Sequence, residues 1–194
     1  VADSTFSSNT ALGTGAANPD GRGGAIYVIG GNRGAVLRNN TVADNAAEGF
    51  GGSPAGKGYG GGICIVDAYN ASVVGGILSS NVATIGGNAH VESTFSPTVT
   101  RCTLSGGQAI ESGANLSVFR SSQVEVSNCL IKEGQAGGSG AGILIDRSPR
   151  NDTYWSRVWI RNNTVVLNAG AGAAVSFTVH SKPDFANNIV ASNS

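Results

Sequence analysis

Apolar residues in this chain fall in short runs that alternate with period two: Ile26 and Val28 flank Tyr27, and Leu116 and Val118 flank Ser117. That alternation marks half-buried strands. The runs are also too short and too rich in Val, Ile and Thr for helices. They recur at a distance, because LRNNTVADN from Leu37 returns almost unchanged as IRNNTVVLN from Ile160. An apolar residue followed three positions later by Asn or Gly occurs at Phe6, Val42, Leu78, Leu104, Ile131, Val165 and Val190. A second column of Gly-led apolar runs is anchored at Ile26, Ile63, Ala89, Leu116, Ile143 and Val175. The step from this column to the next member of the first is nearly constant, lengthened only after Ile143.

A repeat of roughly 26 residues lies in the range of solenoids. The pattern predicts an all-β solenoid of about seven coils, each with three short strands, in one domain over residues 1–194. Equivalent strands then stack in parallel, about 4.8 Å apart. The corners have their own signature. Asn39-Asn40, Asn162-Asn163 and Asn187-Asn188 occupy one bend, where Asn tolerates left-handed backbone and bonds its counterpart one coil away; Gly75-Gly76 substitutes by backbone freedom. Cys102 and Cys129 fall in the Asn40 column, as small stacked hydrophobes or as a disulfide, and with Cys64 they show no metal-ligand spacing.

At these residues the chain resembles the right-handed parallel β-helix repeat family. The GGAI element at Gly23 to Ile26 and the F-x-x-N element at Phe6 to Asn9 are similar to repeats of polymorphic outer-membrane proteins and related secreted bacterial surface proteins. The resemblance implies a right-handed β-helix over nearly the whole chain. It implies either an extracellular or cell-surface scaffold of adhesin type, with no cofactor, or a polysaccharide-binding or polysaccharide-cleaving protein. A lyase of that kind would use calcium on an acidic cluster.

Composition narrows the partners. With 12 Lys+Arg against 12 Asp+Glu and 12% charged residues, no bulk field draws the chain to nucleic acid or an anionic membrane. Gly is frequent, at 30 residues, but 40% hydrophobic residues in regular runs predict a folded chain. No apolar run approaches the roughly 18 residues of a membrane span. The chain starts at Val1 with no signal peptide, and strands occupy both ends without a capping helix, so we expect a piece of a longer chain or ends that stack on flanking domains or protomers.

Irregularities in the repeat point to a working surface. Insertions at residues 12–20 and 46–59 flank the Gly-led strands on one side, and residues 147–156 flank them on the other. The column facing out between them is expected to read Tyr27, Cys64, His90, Ser117 and Leu144, with Ile29, Val66, Glu92, Phe119 and Asp146 toward the strand ends and Arg120 and Arg147 beyond. Glu92 and Asp146 stand two coils apart, about 9.6 Å by strand spacing, near the upper separation of an inverting carboxylate pair. These two and His90 are the catalytic candidates, set against their reading as a solvated face and an ordinary surface histidine. Tyr27, Phe119, Arg120, Arg147, Tyr154 and Trp155 are the candidate ligand-binding residues, the last two able to stack on a sugar ring or to pin their loop. No metal ligands are expected. A second face, with Thr5, Thr41, Ile77, Thr103, Leu130, Thr164 and Ile189, is flat and weakly polar, suited to exposure or packing; Lys132 beside it interrupts the Thr pattern that ice binding would need.

Overall fold

The computed structural model describes residues 1–14, 19–30, 34–50, 55–146, 156–178 and 181–194. Their strands stack coil on coil into parallel sheets, and every paired register is parallel. The first sequence column forms a seven-stranded sheet running from Thr5–Ser7 through Thr41–Ala43, Ile77–Ser79, Thr103–Ser105, Leu130–Lys132 and Thr164–Val166 to Ile189–Ala191. The Gly-led column forms a six-stranded sheet, Ile26–Ile29, Ile63–Val66, Ala89–Glu92, Leu116–Phe119, Ile143–Asp146 and Val175–Phe177. Both registers agree with the repeat, since Phe6 pairs with Val42 and Ile63 with Ala89 and Ile26. Another six-stranded sheet runs from Val36–Arg38 to Ser181–Ala186.

A fourth sheet corrects the expectation of three strands per coil. It contains Thr10–Thr14, Ala46–Phe50, Val82–Ile85, Gln108–Ser112, Gln135–Ala136 and Ala169–Gly170. Apart from Val82–Ile85, these strands are rich in Ala, Gly and Gln and poor in β-branched residues, and so lack the usual strand composition. They also occupy part of the insertions at residues 12–20 and 46–59, which we expected to protrude as loops beside the Gly-led strands. Thr10–Thr14 and Ala46–Phe50 run outward as paired strands, and Gly21–Arg22 and Gly58–Tyr59 return as another pair.

Inside the coils, Leu37, Val42, Ile63, Leu78, Leu104, Leu116, Ile131 and Ile143 form one continuous core. Burial of such side chains contributes about 25 cal/mol per Å² of apolar surface and fixes which face of each strand points inward, but it leaves slips by two residues open. The remaining choice of register is fixed by a chain of asparagines, buried from Asn45 to Asn168. Asn9 Nδ2 donates to Asn45 Oδ1, Asn45 to Asn81, Asn81 to Asn88, Asn88 to Asn115, Asn115 to Asn168 and Asn168 to Asn193, at distances of 2.7 to 3.0 Å. The oxygens also accept backbone N–H groups, as when Asn45 N and Gly134 N donate to Asn81 and Asn168 Oδ1. The second amide protons go to carbonyls such as Val42 O and Ile131 O.

The ladder explains why its column carries Gly at two successive coils and Asn at the others. At Gly107 and Gly134 the ladder position carries no side chain, and Asn88 and Asn115 reach in from the Gly-led column of the preceding coil. A Cβ on Gly107 would lie 2.8 Å from Asn88 Nδ2, and one on Gly134 would lie 2.5 Å from Asn115 Nδ2. The asparagine and the vacant space are alternatives at one level.

The predicted Asn-Asn corner is also present. Asn39, Asn162 and Asn187 adopt φ of 51°, 57° and 54°. Asn163 Nδ2 donates to Asn188 Oδ1 at 3.0 Å and its Oδ1 receives Cys129 N at 2.9 Å. Cys102 and Cys129 continue this column as buried free thiols, directed at Val73 O and Val99 O where Asn163 directs its amide at Val126 O. Contact with Cys102, together with burial, raises the Cys129 thiol.

Asn81→Ala removes a ladder member with all its amide bonds buried, and should destabilise the chain by about 2–3 kcal/mol. Denaturant unfolding checks this; a midpoint equal to the parent's at unchanged slope would contradict the ladder's role.

Candidate functional site

The non-core face of the Gly-led sheet carries Tyr27, Cys64, His90, Ser117 and Leu144 in register. We expected this column to face outward; the structure buries it beyond its first strand. Glycine bends just before each strand fold the chain back over it. Gly86 and Gly113 have φ of +70° and +69°, and a Cβ on them would stand 2.8 and 2.6 Å from the Cβ atoms of His90 and Ser117. Cys64 and Ser117 are fully enclosed, and His90 is 1% exposed, not the ordinary surface histidine that its position suggests. Burial pushes the Cys64 thiol up to about 12.

Past these bends the strand ends open into a cleft of about 470 Å³. His90, Glu92, Phe119, Arg120 and Asp146 line it together, so five of the sequence candidates converge. Tyr27 remains on the edge strand and does not line the cleft. Arg147, Tyr154 and Trp155 lie outside the described residues. The opposite wall comes from the out-and-back segment, which contributes Lys57 and Tyr59, and from Glu111 on Gln108–Ser112. Sequence reasoning missed these three and Arg22. The available signal was that Arg22 and Tyr59 each stand four residues before their column anchors, Ile26 and Ile63, and they are register partners.

The charges occur in close opposite-sign sets. Glu92 lies 3.3 Å from Arg22, 3.9 Å from Arg120 and 3.8 Å from His90 Nε2. The contact with His90 and then the Arg22 charge hold the Glu92 carboxyl below its usual range, against the effect of burial. Lys57 meets the Glu111 carboxylate at 2.7 Å, and the Thr178 hydroxyl donates to Asp146. Two guanidinium groups lie over rings, Arg22 at 5.0 Å from the Tyr59 centroid and Arg120 at 4.8 Å from that of Phe119. The Tyr59 ring in turn covers His90, with centroids 5.1 Å apart.

Three buried polar atoms at the cleft floor, His90 Nδ1, His90 Nε2 and Ser117 Oγ, have no hydrogen-bond partner among the described residues. Leaving such an atom unsatisfied costs about 1–3 kcal/mol. Among the described residues no group of three or more His, Cys, Asp or Glu side chains converges to hold a metal ion.

Residues 1–194 match the family described as right handed beta helix region, and the chain belongs to that family. Comparison with curated proteins and with solved structures found no match.

Desolvation holds His90 below its ordinary value of 6.5, so the unfolded chain binds a proton that the folded chain refuses. The corresponding stability is fully present above that value and declines as pH falls through it. Glu92, lowered from 4.5, adds a second decline at still lower pH. Unfolding free energy measured against pH should therefore fall between neutrality and about pH 5, and His90→Gln should flatten this decline. Equal slopes in parent and variant would contradict the assignment.

Proposed function

We propose that this right-handed β-helix is an extracellular or cell-surface scaffold whose cleft binds carbohydrate without cleaving it. One observation supports the reading above others: unpartnered polar atoms of His90 and Ser117 lie at the floor of a cleft that also presents the rings of Tyr59 and Phe119. A sugar ring offers hydroxyls for the buried polar atoms and a C–H face for the partly exposed Phe119 ring. The cations Arg22, Lys57 and Arg120 have carboxylates within 4 Å. A neutral or mixed polysaccharide suits such a field better than a uniformly acidic one.

Cleavage is the second reading, favoured by Glu92 and Asp146 sharing the cleft on coils two apart. A general acid of that type works with a raised pKa, whereas the neighbours of Glu92 lower it. Arg120 is more than a third exposed and faces Glu92 at 3.9 Å in an ion pair. Calcium would belong only to a lyase version of this second reading. A host or cell-surface glycan as ligand completes the scaffold proposal.

Phe119→Ala should weaken retention on a panel of immobilised neutral and acidic glycans about tenfold, with unfolding unchanged. Retention equal to the parent's would remove the cleft from consideration. Release of reducing ends or unsaturated products, abolished by Glu92→Gln or Asp146→Asn, would replace binding with cleavage.

A further inference from the structure

Beyond the cleft, at the turns that lead from the Gly-led sheet to the next, Tyr69 and Phe95 are bridge partners on adjacent coils and place their ring centroids 6.0 Å apart. Both are large and apolar, yet they are 53% and 42% exposed. The turns that hold them are closely specified. Asp67, Ser93 and Arg120 adopt φ of 53°, 51° and 49° at one corner, and Asn70, Ser96 and Gln123 adopt 52°, 52° and 54° at the next. Backbone bonds from Asn70 N to Phe95 O and from Ser96 N to Ser122 O, at 2.9 and 2.8 Å, tie the turns together. The aromatic pair is a fixed ledge on a hydrogen-bonded base.

The ledge borders a second cavity of about 390 Å³, with Asp67, Thr94 and Ser122 as its polar margin. Arg120 lines this cavity and the cleft alike, and among the described residues no other lines both. Its guanidinium, stacked on Phe119, thus stands at the passage between two concavities that both combine ring faces with polar groups.

We propose that the Tyr69–Phe95 ledge is a second sugar-binding subsite, and that the ligand is a linear oligosaccharide which leaves the cleft past Arg120 and stacks a later ring on the ledge. The inference rests on the carbohydrate reading of the cleft and specifies its ligand as an extended chain instead of a single sugar. A ledge beside the cleft adds affinity only for chains long enough to span both, because the second contact is then made by a ligand already held.

The test is calorimetric titration with homologous oligomers from disaccharide to octasaccharide, in β-linked glucose, N-acetylglucosamine and uronate series, on the parent and on the double variant Tyr69→Ala, Phe95→Ala. Affinity of the parent should rise with chain length. The double variant, whose replaced rings are exposed and whose unfolding should match the parent's, should bind the longest oligomers about tenfold more weakly and the shortest ones equally. Length-independent binding that Phe119→Ala abolishes would overturn the second subsite and leave the cleft reading standing. So would equal binding of long oligomers by parent and double variant. Failure of the parent to bind any series would overturn both.

Discussion

The hydrogen bond between one asparagine side chain and the next is the interaction on which this structure depends. Hydrophobic burial resists a slip of one residue, which would turn the core face outward, but a slip of two residues keeps the faces at similar backbone cost. A buried amide with two donors and an acceptor has few positions in which all are satisfied. From Asn9 to Asn193 the ladder offers one such position per level, and each level takes its oxygen partner from the next. A slip would leave these groups buried and unpaired.

The same ladder positions the cleft. Where Gly107 and Gly134 vacate the first column, Asn88 and Asn115 enter from the second, and each stands immediately before a strand of the Gly-led sheet. Two residues beyond Asn88 lies His90, and four beyond lies Glu92; two and four beyond Asn115 lie Ser117 and Phe119. The central residues of the cleft are therefore anchored directly by the groups that fix the coil register. The out-and-back segment then brings Tyr59 over His90, and Arg22 over Tyr59 and within reach of Glu92. What distinguishes this cleft from an ordinary solenoid surface is that His90 Nδ1, His90 Nε2 and Ser117 Oγ at its floor have no hydrogen-bond partner among the described residues, while the amides of Asn88 and Asn115, two residues earlier in the chain, are paired in the ladder.

Much of this was legible in the sequence because both column anchors repeat with the strands. The register of Phe6 with Val42, the stacking of Glu92, Phe119 and Asp146, and the left-handed corner at Asn39 all follow from spacing and residue type. The fourth sheet was not legible, since AAEGF and QAIES carry little β propensity and are held by their neighbours' register. Burial of His90 was hidden for a different reason: alternation gives the face of a strand but not what lies over that face, and here glycine bends cover it. Tyr59 and the Tyr69–Phe95 ledge reach their places through turns whose paths depend on contacts between coils, which single-residue patterns do not express.

Backbone hydrogen exchange at Gly107 and Gly134 tests the central claim most directly. Their N–H groups donate to Asn115 and Asn168 Oδ1 at 3.2 and 2.9 Å, just as Asn45 N donates to Asn81. If the ladder passes unbroken through the glycine levels, these amides should exchange as slowly as that of Asn45, near the rate of global unfolding. Fast exchange at the two glycines beside a protected Asn45 would mean that the ladder ends where its own column does, and that the cleft strands are held by something else.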